Sequence, residues 1–98
     1  MAEVLNLIWT DNAITNLEAA WNYLATDFPA RADSQLDRIL DAAEKLATFP
    51  ELGRRGRIPG TRELVIPATP FLIAYRVYRA EIQILAVLHG SRRWPGAL

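Results

Sequence analysis

The residues best suited to chemistry are four arginines placed close together, Arg54, Arg55, Arg57 and Arg62, in the segment "FPELGRRGRIPGTRELVI" at 49–66. Guanidinium groups make forked contacts with phosphate and carboxylate groups. On one rim of a folded domain, they predict binding of a nucleic-acid backbone or of the carboxylates of a protein partner. The alternative is a solvated loop whose arginines contact nothing specific.

Two further residues, Arg76 and His89, suggest catalysis. Arg76 lies among apolar residues in "FLIAYRVY" at 71–78, and an arginine in such a strand needs a partner or a role. His89 is the single histidine, and a histidine side chain can act as a general acid or base near neutral pH. The alternative for His89 is a strand-end residue bonded to a nearby backbone carbonyl.

The C-terminal segment "SRRWP" adds Arg92, Arg93 and Trp94 to the candidate partner-binding residues. The two arginines extend the cationic character of the second half of the chain. Trp94 follows the last predicted strand, so it either packs back on the helices or anchors a partner.

Several kinds of site are not expected. The chain has no cysteine and one histidine, so we predict no thiol chemistry, no metal site and no cofactor. No Ser-His-Asp arrangement, glycine-rich phosphate loop or pair of catalytic carboxylates is visible. No signal segment or membrane-length apolar run is visible either, and we therefore expect a cytoplasmic protein that does not bind membranes.

The net charge of zero hides a division between the halves of the chain. Residues 1–50 carry three cations and eight anions, a net charge of −5, whereas residues 51–98 carry eight arginines and three anions, a net charge of +5. This asymmetry predicts an anionic partner for the second half. The length of 98 residues predicts a single domain, 1–98.

Two helices are expected in the first half, after a short strand "VLNLIW" at 4–9. Thr10-Asp11-Asn12 is typical of a helix N-cap, and Pro29 ends the first helix or opens the second. The tight connection predicts an antiparallel helical hairpin. Apolar residues recur at helical spacing in two stripes: Ile14, Leu17, Trp21, Leu24 and Phe28, and then Leu36, Ile39, Leu40, Ala43, Leu46 and Ala47.

Three strands are expected in the second half, "RELVI" at 62–66, "FLIAYRVY" at 71–78 and "EIQILAVLH" at 81–89. A turn at Arg79-Ala80 would pair Phe71 with Leu88 and would place His89 on the sheet face of Arg76. The alternative is a wider loop, because Arg-Ala lacks the glycine or asparagine usual in a two-residue turn. The fold class is therefore α+β, in the order β-α-α-β-β-β, with the helical hairpin on one face of a mostly antiparallel sheet.

The motifs in this order resemble the RelE/ParE superfamily of type II toxin–antitoxin toxins. The resemblance rests on "LNLIW" followed by Thr-Asp, "LATFPELGRRGR", "GTRELV", "YRVY" and the terminal "ILAVLHGSRRWP". It implies a helical hairpin packed on the sheet, a basic concave surface on the other sheet face, and a cognate antitoxin that wraps the toxin. It also implies growth inhibition and a role in plasmid stabilisation.

The resemblance implies two targets. RelE-like members cleave mRNA on the ribosome, whereas ParE-like members poison DNA gyrase and need no active site. Cleaving members often carry an arginine after the aromatic that opens the third strand, where Phe71 is followed here by Leu72. The ending "VLHGSRRW" also resembles the ParE side, and we favour a gyrase poison. One alternative is a ribosome-dependent mRNA endoribonuclease, in which Arg55, Arg57 and Arg76 would hold phosphate and His89 would move protons. The other is an inert module that only binds its partner.

Overall fold

The computed structural model describes residues 4–90, which form two helices on one face of a five-stranded sheet. In chain order the elements are β1 (Asn6–Trp9), α1 (Asp11–Asp27), α2 (Pro29–Thr48), β2 (Arg54–Arg55), β3 (Arg62–Val65), β4 (Phe71–Tyr78) and β5 (Glu81–His89). The strands lie in the order β1-β5-β4-β3-β2, with β1 parallel to β5 and the other neighbours antiparallel. The predicted α+β fold is confirmed, and the short strand β2 is an addition to it.

The two helices follow each other almost without a connection, as predicted. Phe28 alone separates them, and Pro29 occupies the first turn of α2, where its missing N–H costs no hydrogen bond. The indole Nε1 of Trp21 donates to Asp33 Oδ1 at 3.1 Å and ties the helices together near this corner. No helix in the described part of the chain is long and apolar enough to cross a membrane.

The face that α1 turns to the sheet is narrower than the predicted stripe. Ala13, Ala20 and Leu24 are buried, whereas Ile14 and Phe28 are exposed by 41% and 54%. Small alanine side chains let a helix lie close to a sheet, and Ile14, Trp21 and Phe28 are left on the flank of α1. The prediction of a core stripe that includes Ile14, Trp21 and Phe28 was therefore wrong. The stripe of α2 is confirmed at the core residues Ile39, Ala43, Leu46 and Ala47.

The β4–β5 hairpin contains a bulge that the sequence did not reveal. The predicted turn and register hold at the tip, where Val77 pairs with Ile82 and Tyr75 with Ile84. The register then shifts between Ala74 and Tyr75. Beyond this point Phe71 pairs with His89 rather than with Leu88, because one extra residue of β5 is accommodated without a partner.

The start of α1 provides the groups that hold this bulge. Thr10 caps α1 by accepting from Ala13 N at 3.2 Å, and its hydroxyl donates to Ile84 O at 2.7 Å. Asn12 Nδ2 donates to Leu85 O at 2.8 Å, and Asn16 Oδ1 accepts from Val87 N at 3.1 Å. Since a bulge leaves backbone groups without strand partners, these side chains replace the missing ladder bonds.

Candidate functional site

The candidate binding surface is the sheet edge formed by β2 and the loop that joins it to β3, which we call the arginine edge (Arg54, Arg55, Arg57 and Arg62). The loop is closed by two backbone hydrogen bonds, Gly56 N to Thr61 O at 2.8 Å and Thr61 N to Ile58 O at 3.1 Å. A Cβ on Gly56 would lie 2.3 Å from Thr61 Oγ1, so this close approach requires glycine. The arginines are therefore displayed on a closed, hydrogen-bonded hairpin.

Glu63 is the centre of the arginine edge and was missed by the sequence analysis. It is 3% exposed, and its carboxylate accepts from Arg57 N at 3.1 Å. Its oxygens also lie 3.5 Å from Arg54 Nη2 and 3.9 Å from Arg57 Nε. A buried carboxylate requires such partners. The only signal in the sequence was an acidic residue inside a short strand beside several arginines.

The tie between Glu63 and two of the arginines changes what the edge offers to a partner. The side chains of Arg54 and Arg57 remain 65% and 50% exposed, but one carboxylate already partly balances their charge. Arg55 is exposed and has no side-chain hydrogen bond or ion pair with any of residues 4–90. Of the four, Arg55 is thus the one most available to an anion.

Arg62 points to the helix side of the sheet and supports the edge from within. Its Nη1 donates to Gly53 O at 2.8 Å. Tyr75, which pairs with Arg62 across β3 and β4, accepts from Gly53 N at 2.9 Å and donates to Pro50 O at 2.8 Å. Burial raises the pKa of the Tyr75 hydroxyl above its usual value, although the Gly53 N–H and Arg62 act in the opposite sense. Both side chains fix the backbone that precedes β2.

Arg76 lies on the opposite sheet face from the helices, near the hairpin turn. Its Nε donates to Gln83 Oε1 at 2.5 Å, and its guanidinium carbon lies 5.4 Å from the centre of the Tyr78 ring. The expectation that Arg76 needs a partner is met by Gln83, a neutral side chain directly across the hairpin.

His89 lies on the helix side of the sheet, so the expectation that it shares a face with Arg76 was wrong. The bulge reverses the facing of the residues that follow it, and His89 makes an edge-to-face contact with Phe71 at 5.9 Å between ring centres. The His89 ring lines a groove against α1 that also contains Asn16 and Tyr23.

The two candidate catalytic residues are therefore not brought together. His89 pairs with Phe71 at the start of β4, and Arg76 lies five residues further along β4. Along the strand this separates Arg76 from His89 by roughly 16 Å, and the two side chains are on opposite faces of the sheet. Among residues 4–90 no group of three His, Cys, Asp or Glu side chains could hold a metal ion. The candidates Arg92, Arg93 and Trp94 lie outside the described residues.

Comparison with known proteins identifies the family. A family model described as "ParE toxin of type II toxin-antitoxin system, parDE" matches residues 7–94. The chain is 40% identical over 90 residues to the putative toxin Y4kP of Sinorhizobium fredii, covering 92% of this chain and 93% of that protein. It is 34% identical over 92 residues to toxin RelE2 of Caulobacter vibrioides, covering 94% of this chain and 99% of that protein.

A solved structure shows the same fold. A chain of the chromosomal ParDE toxin–antitoxin system from P. aeruginosa superposes with a TM-score of 0.80 at 28% identity, and the match covers 88% of this chain and 96% of that one. The resemblance inferred from the sequence motifs is thereby confirmed. The chain belongs to the ParE family, the toxins of type II toxin–antitoxin systems, within the RelE/ParE superfamily.

Proposed function

We propose that this toxin inhibits growth by binding and poisoning DNA gyrase, as ParE-like members do, and that it performs no RNA cleavage of its own. The observation that carries the proposal is the separation of Arg76 from His89. Proton transfer and phosphate binding at one scissile bond require groups within hydrogen-bond reach of the same few atoms. Two side chains on opposite sheet faces do not meet this requirement.

The surroundings of both residues support the same proposal. Arg76 contacts Gln83 and Tyr78 near the hairpin turn, whereas His89 contacts the Phe71 ring in a groove beside α1. Arg57, a further phosphate-binding candidate, shares Glu63 with Arg54. A site for phosphate cleavage would place several uncompensated cations around one point.

The antitoxin, we infer, binds the arginine edge through an acidic segment. The two-residue strand β2 is the outermost strand on this side of the sheet. A wrapping segment that pairs with such a strand gains main-chain hydrogen bonds, and its carboxylates can contact Arg55. Arg54 and Arg57 add weaker attraction, because Glu63 partly balances them. Binding of this kind weakens as salt rises.

The test is induced expression in a bacterial host without the cognate antitoxin, with separate reporters for DNA damage and translation. We expect an SOS response and filamentation, from both the wild type and His89→Ala. Binding of His89→Ala to the antitoxin is the control for correct folding. Prompt translation arrest with cut mRNA, lost in His89→Ala, would instead support the RelE-like endoribonuclease. Unimpaired growth would indicate an inert binding module.

A further inference from the structure

The tip of the β4–β5 hairpin carries an exposed cluster that the proposed function does not use, formed by Arg76, Tyr78 and Arg79, which we call the hairpin tip. The guanidinium carbons of Arg76 and Arg79 lie 5.4 Å and 5.3 Å from the centre of the Tyr78 ring. Both distances are within the range of cation–π attraction. All three residues are exposed, with Tyr78 at 49%. The ring therefore gathers two cations at one exposed position.

The backbone of Arg79 makes this arrangement unusual. Its φ is 57°, in the left-handed region, within a two-residue turn that glycine or asparagine would adopt with less strain. A side chain with a Cβ is strained in this conformation, because the Cβ lies too close to the following carbonyl oxygen. Strain of this kind is concentrated at functional positions. The contact of its guanidinium with Tyr78 is the only interaction of the Arg79 side chain within the described part of the chain.

In the described part of the chain no ion pair balances the charge of the hairpin tip, in contrast to the arginine edge. No carboxylate among residues 4–90 lies within 4.0 Å of either guanidinium. Glu81 is nearby, but its Oε1 accepts from Gln83 Nε2 at 3.0 Å, while Gln83 Oε1 accepts from Arg76. Gln83 thus stands between the acid and the arginine. Within residues 4–90 the hairpin tip therefore presents two cations that have no carboxylate partner.

We propose that the hairpin tip binds the phosphodiester backbone of DNA. The inference rests on the proposed function, because gyrase holds DNA, and a toxin bound near that DNA would bring its exposed cations within reach of phosphates. Strand β3 pairs with β4 only as far as Tyr75, so the tip extends beyond its neighbour on that side. On the other side β1 pairs with β5 from Glu81 to Ile84, so among the described strands only the β4 side of the tip, which carries Arg76 and Tyr78, lacks a neighbour. Arginine and tyrosine side chains are common donors to phosphate.

The experiment measures binding of the purified toxin to a fluorescent DNA duplex by anisotropy over a range of salt concentrations. The variant is Arg76→Gln combined with Arg79→Gln. The control is Arg31→Gln combined with Arg38→Gln, which removes the same charge from exposed positions of α2. We expect the tip variant to bind at least about tenfold more weakly at low salt. The slope of log K against log salt should fall by about two, one per lost phosphate contact, and the control should keep both values.

A second variant separates binding from folding. Arg79→Gly removes a guanidinium at a position where the positive φ favours glycine, so its thermal stability should be no lower than that of the wild type while DNA affinity falls. Equal losses in the tip variant and the control, or no binding by the wild type, would overturn the proposal. The proposal would also be overturned if the hairpin tip bound a glutamate-rich peptide and did not bind DNA.

Gyrase inhibition and binding to the DNA duplex are measured separately, so each can fail without the other. A toxin that inhibits gyrase but has no affinity for the duplex would refute DNA contact and leave gyrase poisoning intact. A toxin that binds the duplex through Arg76 and Arg79 but leaves gyrase active would refute gyrase poisoning and support the DNA contact.

Discussion

Removal of the Tyr75 hydroxyl should destabilise the protein far more than the loss of one oxygen atom suggests. Tyr75 is fully buried, and its hydroxyl is the only side-chain link within the described residues between β4 and the segment that precedes β2. In Tyr75→Phe, the N–H of Gly53 and the carbonyl of Pro50 lose their partner. Gly53 is buried, whereas Pro50 is half-buried and water can replace the hydroxyl there.

The expected cost follows from these two groups. A buried donor left unpaired costs about 1–3 kcal/mol, and the more accessible carbonyl adds a smaller amount. We therefore expect Tyr75→Phe to lower the free energy of unfolding by about 2 kcal/mol. In urea this corresponds to a midpoint lower by about 1–2 M, with an unchanged slope. The matched control is Tyr23→Phe, because Tyr23 is 65% exposed and its hydroxyl makes no hydrogen bond within residues 4–90.

The same hydroxyl predicts a dependence on alkaline pH. Burial raises the pKa of Tyr75 in the folded state above its ordinary value of 10.0. Above about pH 10 the unfolded chain loses this proton while the folded chain keeps it, so stability falls as pH rises. Below about pH 10 both states hold the proton and the effect vanishes. Tyr75→Phe should lack this component of the alkaline loss. If Tyr75→Phe had the same urea midpoint as the wild type at pH 7, the stabilising role of the hydroxyl would be refuted.

Three further predictions concern the bulge, the helix cap and the arginine edge. Asn16→Ala should lower the free energy of unfolding by about 1–2 kcal/mol in urea, because Val87 N loses its acceptor, whereas Asn22→Ala, at an exposed position of α1, should change it little. Thr10→Ala should lower the free energy of unfolding by about 1–2 kcal/mol, measured by calorimetry. Thr10→Ser should keep most of the stability, since serine retains both the helix cap and the bond to Ile84 O. Equal destabilisation by the alanine and serine substitutions would contradict this role. Arg55→Gln should weaken the antitoxin complex up to about fivefold at low salt and less at high salt, by calorimetric titration, with Arg38→Gln unchanged.

The elements that carry strong periodicity were predictable from the sequence. The α2 stripe and Pro29 at the helix corner follow from local chemistry, and both are confirmed. The turn at Arg79-Ala80 is confirmed too, but it was predicted from the cross-strand pattern, because Arg-Ala lacks the glycine or asparagine usual in such a turn. Strand β2 escaped prediction because two arginines carry no alternation of apolar and polar residues. The buried face of α1 was misplaced, since alanines contribute little to a hydrophobic pattern although they permit close packing.

The candidate site was predictable only in part, because its geometry depends on one residue of register. The sequence of β5 is compatible with one apolar sheet face whether or not the strand contains a bulge. The bulge is stabilised by polar residues on α1, which lie about seventy positions away in the sequence. Asn12 and Asn16 read as ordinary helix-surface residues until β5 is placed beside them. The role of Glu63 depends in the same way on the pairing of β2 with β3. Long-range pairing thus determines which faces His89 and Arg76 occupy.

The most direct measurement of the central claim is the supercoiling activity of purified DNA gyrase titrated with this toxin. We predict that the wild type and His89→Ala inhibit supercoiling equally, with accumulation of cleaved DNA, and that the cognate antitoxin restores activity. Gyrase left untouched at high excess of a toxin that still arrests growth would contradict the claim.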